Sequence, residues 1–215
     1  MFSLSHQAAR ALGPVRVPFV CAGLALASIW AALPVAGAQA AATSGPCPET
    51  TLVHPFVSWG DNGYYQLVPG GGFEPGESRW SYSGGAVPAL GGEPYDVTGS
   101  QDWFSAALPQ GGSVQAPFVC VEPNDRTFRF FMRAVGPSAS LTVRLEYRTI
   151  AGLPLVVGSK TFTIGNGWEL SPVLHTGAAV ASTISGGAAQ LSIGFSSAKG
   201  VIRIDDVYLD PRMRR

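Results

Sequence analysis

Beyond residue 40 the chain holds two histidines, His54 and His175, two cysteines, Cys47 and Cys120, and fourteen carboxylates. Few of them stand at a spacing that a reaction needs. Neither histidine belongs to an H-E-x-x-H pattern, no G-x-S-x-G elbow presents a serine, and no P-loop or dinucleotide fingerprint occurs. Glycoside hydrolysis requires two carboxylates across a cleft. Glu146 and Glu169 are available for that, but no spacing pairs them, so a small glycan hydrolase or lyase stands only as an alternative. The cysteines read more simply as a disulfide than as nucleophiles or zinc ligands.

Two other groups of side chains suit binding better than reaction. Arg129, Phe131, Arg133, Arg144, Glu146 and Arg148 alternate with apolar residues, so they would project from one face of two neighbouring strands. Faces of this composition are also ordinary cross-strand ion pairs. The second group lies in Gly-rich loops. "SWGDNGYYQL" carries Trp59, Tyr64 and Tyr65, and "GSQDWFSAAL" carries Trp103. Aromatic rings in such loops either meet a ligand or plug the end of a β-domain.

The elements that must position these residues are short strands. Gly and Pro punctuate the chain every few residues and no long amphipathic helix pattern appears, which predicts an all-β sandwich or barrel. "TFRFFMRAV" puts Phe128, Phe130, Met132 and Ala134 on one face. "SLTVRLEYRTI" does the same with Leu141, Val143, Leu145 and Tyr147. "KTFTI", "WELSPVL", "AQLSIGFSS" and "VIRIDDVYL" complete the set. "GPSA" (136–139) and "GNG" (165–167) read as tight turns, "TISGGAA" (183–189) as a looser one, and "HTGAAVAST" (175–183) as one helical turn. Residues 84–112 read as long loops with short edge strands.

Residues 1–40 read as a secretory signal peptide. Arg10 and Arg16 precede the apolar run "VPFVCAGLALASIWAALPVAG", and "AQA" supplies a small-x-small cleavage site after Ala40. An uncleaved signal anchor is the alternative, since the run is near the lower length for a span. Cleavage leaves residues 41–215 as a single secreted domain without membrane attachment. Twelve basic then face fourteen acidic side chains, a net charge of −2, which favours neither nucleic acid nor an anionic membrane as partner. Cys21 leaves with the leader, and Cys47 and Cys120 remain as an even pair in an oxidising compartment.

Two segments together resemble a known family. "LVPGGGFEPGESRWSYSGGA" and "GVIRIDDVYLDP" resemble the opening and closing strands of jelly-roll carbohydrate-binding modules with a galactose-binding-like fold. The chain also resembles secreted actinobacterial proteins. The likeness covers some thirty residues at the two ends. It implies an antiparallel β-sandwich of jelly-roll type and a structural calcium ion beside the first and last strands. Glu74 and Asp205 would then be the carboxylate ligands, with backbone carbonyls from the turn Gly70 to Gly72, and with Asp206 in place of Asp205 if the closing strand bulges. The family carries an Asn or Asp within this turn, where this chain has three glycines. Alternatively, Glu74 caps a turn and the aspartates are solvated. The resemblance further implies non-catalytic binding of carbohydrate or a cell-envelope polymer, on the arginine-rich face or on the loop aromatics. An extracellular structural or adhesion protein that binds another protein is the competing class.

Overall fold

Period-two alternation keeps one face of each long segment apolar, and packing those faces together builds the molecule. The structure is a computed structural model that describes residues 47–76, 79–98 and 102–211. The expected leader lies outside the described residues, which all belong to one compact unit, Gln39–Arg215. The strands are β1 (Gln66–Leu67), β2 (Ser81–Ser83), β3 (Val87–Leu90), β4 (Phe104–Leu108), β5 (Ser113–Gln115) and β6 (Val119–Val121). They continue with β7 (Asp125–Arg148), β8 (Pro154–Ile164), β9 (Glu169–Leu170), β10 (Leu174–His175) and, after helix α1 (Ala178–Ser185), β11 (Ala189–Pro211).

β7 and β11 pair antiparallel along nearly their whole lengths and form a spine. The other side of β11 pairs in turn with β6, β5, β4 and β1. The other side of β7 pairs with β10, β9 and β8. β2 adds to β5 and β3 to β4. Each spine strand runs through both layers of a sandwich. Phe130, early in β7, meets Phe195, early in β11, with ring centroids 4.7 Å apart, although the ladder pairs Phe195 with Val143. That contact is made across the core. The fold is therefore the all-β antiparallel sandwich of jelly-roll type expected from the sequence.

The inward residues are those that the alternation selects. Phe128, Phe130, Met132, Ala134, Leu141, Val143 and Tyr147 are all buried in the main core, and Leu145 packs against it. Segmentation differs. "GPSA" is no turn: Gly136 adopts φ 127° inside a continuous β7. "AQLSIGFSS" and "VIRIDDVYL" are likewise one strand, bent around Gly200 (φ 77°), where the register with β7 shifts between Ser197 and Val201. Glycine reaches such angles without steric cost, so a chain reversal and a sheet corner look alike in sequence. "WELSPVL" splits into β9 and β10, and the first three residues of "TISGGAA" extend α1 to two turns.

A second, smaller core of Phe56, Tyr65, Phe131 and Tyr208 lies on the outer face of one layer. The segment before β1 covers it. Asp61 pairs with Arg129 at 2.9 Å, and Arg129 also donates to the Ser171 carbonyl at 2.9 Å. The expected disulfide joins Cys47 to Cys120 and anchors the start of this arm.

Candidate functional site

The closing strand carries consecutive aspartates, and a regular strand would send them to opposite faces. Here the register with β7 slips between Asp205 and Tyr208, and Asp206 takes a left-handed φ of 49°. The bulge lets both side chains turn inward, and neither is exposed. The turn at Gly70 to Gly72 clamps it. Val207 N donates to the Gly71 carbonyl at 3.1 Å, and Val68 N donates to the Val207 carbonyl at 2.9 Å. A Cβ on Gly71 would sit 2.9 Å from both the Val207 and Val68 carbonyl oxygens, so only glycine fits. Phe73 follows at φ 58°, fully buried against Trp80 with ring centroids 4.9 Å apart. Left-handed angles at bulky residues persist only where the surroundings fix them.

Asp206, Asp102 and Glu93 meet at this bulge, each offering an oxygen within 4.8 Å of the others. The neighbouring carboxylates are occupied otherwise. Asp205 accepts hydrogen bonds from Glu93 N (2.8 Å) and Asp206 N (3.0 Å). Glu74 Oε1 accepts from Trp103 N (2.6 Å) and Phe104 N (2.7 Å). Glu93 itself accepts from Tyr95 N and, at 3.0 Å, from Val97 N, so the cluster also shapes the loop that carries Tyr95. Both oxygens of Asp102 and both of Asp206 are buried without a hydrogen-bond partner among the described residues.

Burial pushes the Asp102 carboxyl up to about 7, with the charges of Glu93 and Glu74 adding to the rise. Burial likewise raises Asp205 and Asp206 well above the usual carboxylate range, reinforced at Asp205 by the charges of Asp102 and Glu93 and at Asp206 by those of Asp205, Asp102 and Glu93. Clustered buried carboxylates are relieved either by holding protons, as these raised values show, or by a cation that lets them stay charged. An all-oxygen set of converging carboxylates suits a hard divalent ion. The residues present therefore fit the structural cation that the family resemblance implies, with Asp206, Asp102 and Glu93 as the carboxylates that would converge on it. Glu74 and Asp205 border the cluster with their carboxylates engaged by backbone N–H groups. Gly72 borders it too: its Cβ position lies 3.5 Å from Asp206 Oδ1. Gly70, at φ 71°, accepts a hydrogen bond from Phe73 N at 3.1 Å.

The arginine-rich face does not form one surface. Because β7 passes from one layer to the other, Arg129, Phe131 and Arg133 stand in one layer and Arg144, Glu146 and Arg148 in the other. Phe131 is buried, and Arg129 is committed to Asp61 and Ser171. Arg144 and Glu146 pair with each other at 2.8 Å. Glu146 stands in the second half of β7, whereas Glu169 in β9 pairs with Met132 in the first half, so the two belong to different layers. Among the loop aromatics Tyr65 is buried, its hydroxyl donating to Asp61 at 2.7 Å. Tyr64 is exposed and packs on His54, and Trp103 is exposed beside Asp102.

Trp59 belongs to a set that the sequence did not group. Its ring meets Tyr95 edge to face at 4.9 Å, and both rings rest on Phe131, at 5.2 and 5.3 Å. Trp59 is 36% exposed and Tyr95 45%. The Tyr95 hydroxyl donates to the Trp168 carbonyl at 3.2 Å, and the Arg133 guanidinium lies 5.6 Å from the centre of the Trp168 ring. Aromatic surface and a planar donor thus share one corner. Tyr95 and Trp168 stand far from Trp59 in sequence, and only the acid-held loop and β9 bring them to it.

No protein-family model matches the chain, and no curated protein matches it. Among solved structures it is similar to the xylan-binding CBM22-1 domain of Paenibacillus barcinonensis Xyn10C, at 12% identity over 70% of this chain and 94% of that one, with a TM-score of 0.41. The C-terminal family 22 carbohydrate-binding module of Clostridium thermocellum Xyn10B gives 18% identity, 70% and 96% coverage and a TM-score of 0.39. A family 11 carbohydrate-binding module from Clostridium thermocellum, in complex with a β-1,3-1,4-mixed-linked tetrasaccharide, gives 11%, 66% and 94%, and 0.38.

Proposed function

We propose that this protein is an exported, non-catalytic carbohydrate-binding domain. The observation that carries the reading is the exposed aromatic corner of Trp59 and Tyr95, with Arg133 and Trp168 beside it. Ring faces pack against the C–H faces of sugars, while a guanidinium donates to hydroxyls. The partner is a carbohydrate or cell-envelope polymer met outside the cell, in keeping with the expected leader. Asp206, Asp102 and Glu93 would hold one calcium ion. Its charge would neutralise the buried carboxylates and so stabilise the loop from Glu93 to Val97 that presents Tyr95.

One experiment addresses both parts. The protein is passed over insoluble xylan, galactan, mixed-linkage glucan and peptidoglycan, and its thermal unfolding is followed in calcium and in EDTA. Wild type should be retained by at least one polymer, and Trp59→Ala and Tyr95→Ala should not. Calcium at a hundredfold excess over its Kd should stabilise wild type by about 2.7 kcal/mol. Asp206→Asn should lose that response yet melt higher than wild type in EDTA. It removes a like charge, and asparagine tolerates the left-handed angle. No retention on any polymer would sink the carbohydrate reading, and equal calcium responses in the two proteins would sink the metal assignment.

A further inference from the structure

A groove along the free edge of β8 has a different chemistry. Among the described residues β8 pairs only with β7. Leu155 registers with buried Tyr147, and Lys160 with buried Val143, so both sit on the core side of the sheet. Both are nevertheless exposed, Leu155 at 55%. The two layers therefore part at this edge. The gap between β8 and the segment from His175 through α1 has a volume of about 1190 Å³, with a further 260 Å³ adjoining it through Leu145, Gly158 and His175.

The far wall is α1. Ala178 and Ser182 pack inward, whereas Val180 and Ile184, 67% and 72% exposed, line the groove. With Ile150, Leu155 and Val157 from the β7–β8 hairpin they make a continuous aliphatic surface. Exposed apolar surface of this extent marks a binding site, and the volume matches or slightly exceeds that of ordinary small-molecule pockets. Apart from the exposed His175 imidazole, its rings are not offered for stacking. Tyr147 is buried, and Phe118 lies under the Arg148 guanidinium, 4.5 Å away.

Charge identifies the occupant. Among the described residues no carboxylate lines either part of the groove, although acids outnumber bases beyond residue 40. Arg148 and Lys160 do line it, and neither makes an ion pair among the described residues. An aliphatic trough with cations at its rim and no acid complements a ligand with an alkyl chain and an anionic head.

We propose that this groove binds a single fatty-acid molecule, its alkyl chain against α1 and the β7–β8 hairpin and its carboxylate at Arg148. The inference does not depend on the carbohydrate reading. The test is calorimetric titration of the full chain with laurate below its critical micelle concentration, and with dodecan-1-ol. Wild type should bind one laurate. Ile184→Asp adds a carboxylate at an exposed helix position, so it should leave the melting temperature and polysaccharide retention unchanged while weakening laurate at least tenfold. Arg148→Gln should weaken laurate several-fold and leave dodecan-1-ol unaffected. No laurate binding by wild type, or equal affinity in Ile184→Asp, would overturn the site. So would sedimentation with anionic phospholipid vesicles in the absence of laurate binding. Equal weakening of laurate and alcohol by Arg148→Gln would overturn the head-group assignment.

Discussion

Single buried carboxylates govern how this molecule responds to pH, and Asp125 is the simplest to isolate. It opens β7, is almost fully buried, and accepts a hydrogen bond from Glu122 N at 2.7 Å. Burial pushes its carboxyl up to about 6, and the charges of Glu122 and Asp210 add to the rise. The unfolded chain releases the same proton near pH 4. The folded state thus holds the proton more tightly, and this group's contribution to stability is fully present below about pH 4. It is lost as pH rises through 6, with a magnitude on the order of 2 to 3 kcal/mol. Asp125→Asn keeps an acceptor for Glu122 N and cannot titrate. Its stability relative to wild type should therefore rise between pH 4 and 7, as read from urea unfolding at each pH. A constant difference would mean that Asp125 titrates as an ordinary aspartate. At this scale the sequence told least. Asp206 was reachable through its motif, but Glu93 and Asp102 fall within residues 84–112, which read as long loops with short edge strands, and nothing singled them out. Glu93 meets Asp205 across 112 residues, and local spacing carries no information about a contact so remote.

Glycines decide what the elements can do, and two of them should respond unequally to the same change. A Cβ on Gly71 would meet two backbone oxygens at 2.9 Å, atoms fixed by the turn and by the bulge that the turn clamps. A Cβ on Gly194 would come still closer, 2.3 Å from Gln115 Oε1, but that atom ends a flexible side chain that can swing away. Gly71→Ala should therefore cost about 1 to 3 kcal/mol, in the range of overpacked cores. Gly194→Ala should cost less than about 1 kcal/mol, mainly for the lost bond from Gln115 Nε2 to Ser192 Oγ. Chemical unfolding of both variants checks the order, and a larger loss at Gly194 would reverse the argument. The strands themselves were legible, because period-two alternation is a property of the chain alone. Their ends were not. Gly136 and Gly200 bend a continuing strand from one layer to the other, whereas glycines at 165 and 167 end one. The residue type is the same, and only the partner strand distinguishes the outcomes.

At the scale of the whole molecule, two cores share one spine and a covalent tie. The arm from Cys47 to Tyr65 covers the smaller core at the far end of β11, where Phe56 packs on Tyr208 with centroids 5.5 Å apart. Its first residue is bonded to Cys120 in β6, which pairs with the opposite end of β11. The bond thus links a cover on one layer to a strand in the other, across 73 residues of chain. Restricting an unfolded loop of that length contributes about 4 kcal/mol in the chain-entropy model. For a domain of this size each 1 kcal/mol moves the melting temperature by about 2 to 4 °C. Cys47→Ser with Cys120→Ser should accordingly melt about 8 to 16 °C lower than wild type, and wild type in a strong reductant should shift by a similar amount. The arm keeps noncovalent holds: the Asp61–Arg129 pair, the Val53–Tyr65 bridge and the burial of Phe56. The reduced protein should therefore still unfold in one cooperative transition. An unchanged melting temperature would mean that the arm's own contacts already confine the chain. Two separate transitions would mean that the smaller core depends on the disulfide for its place on the spine.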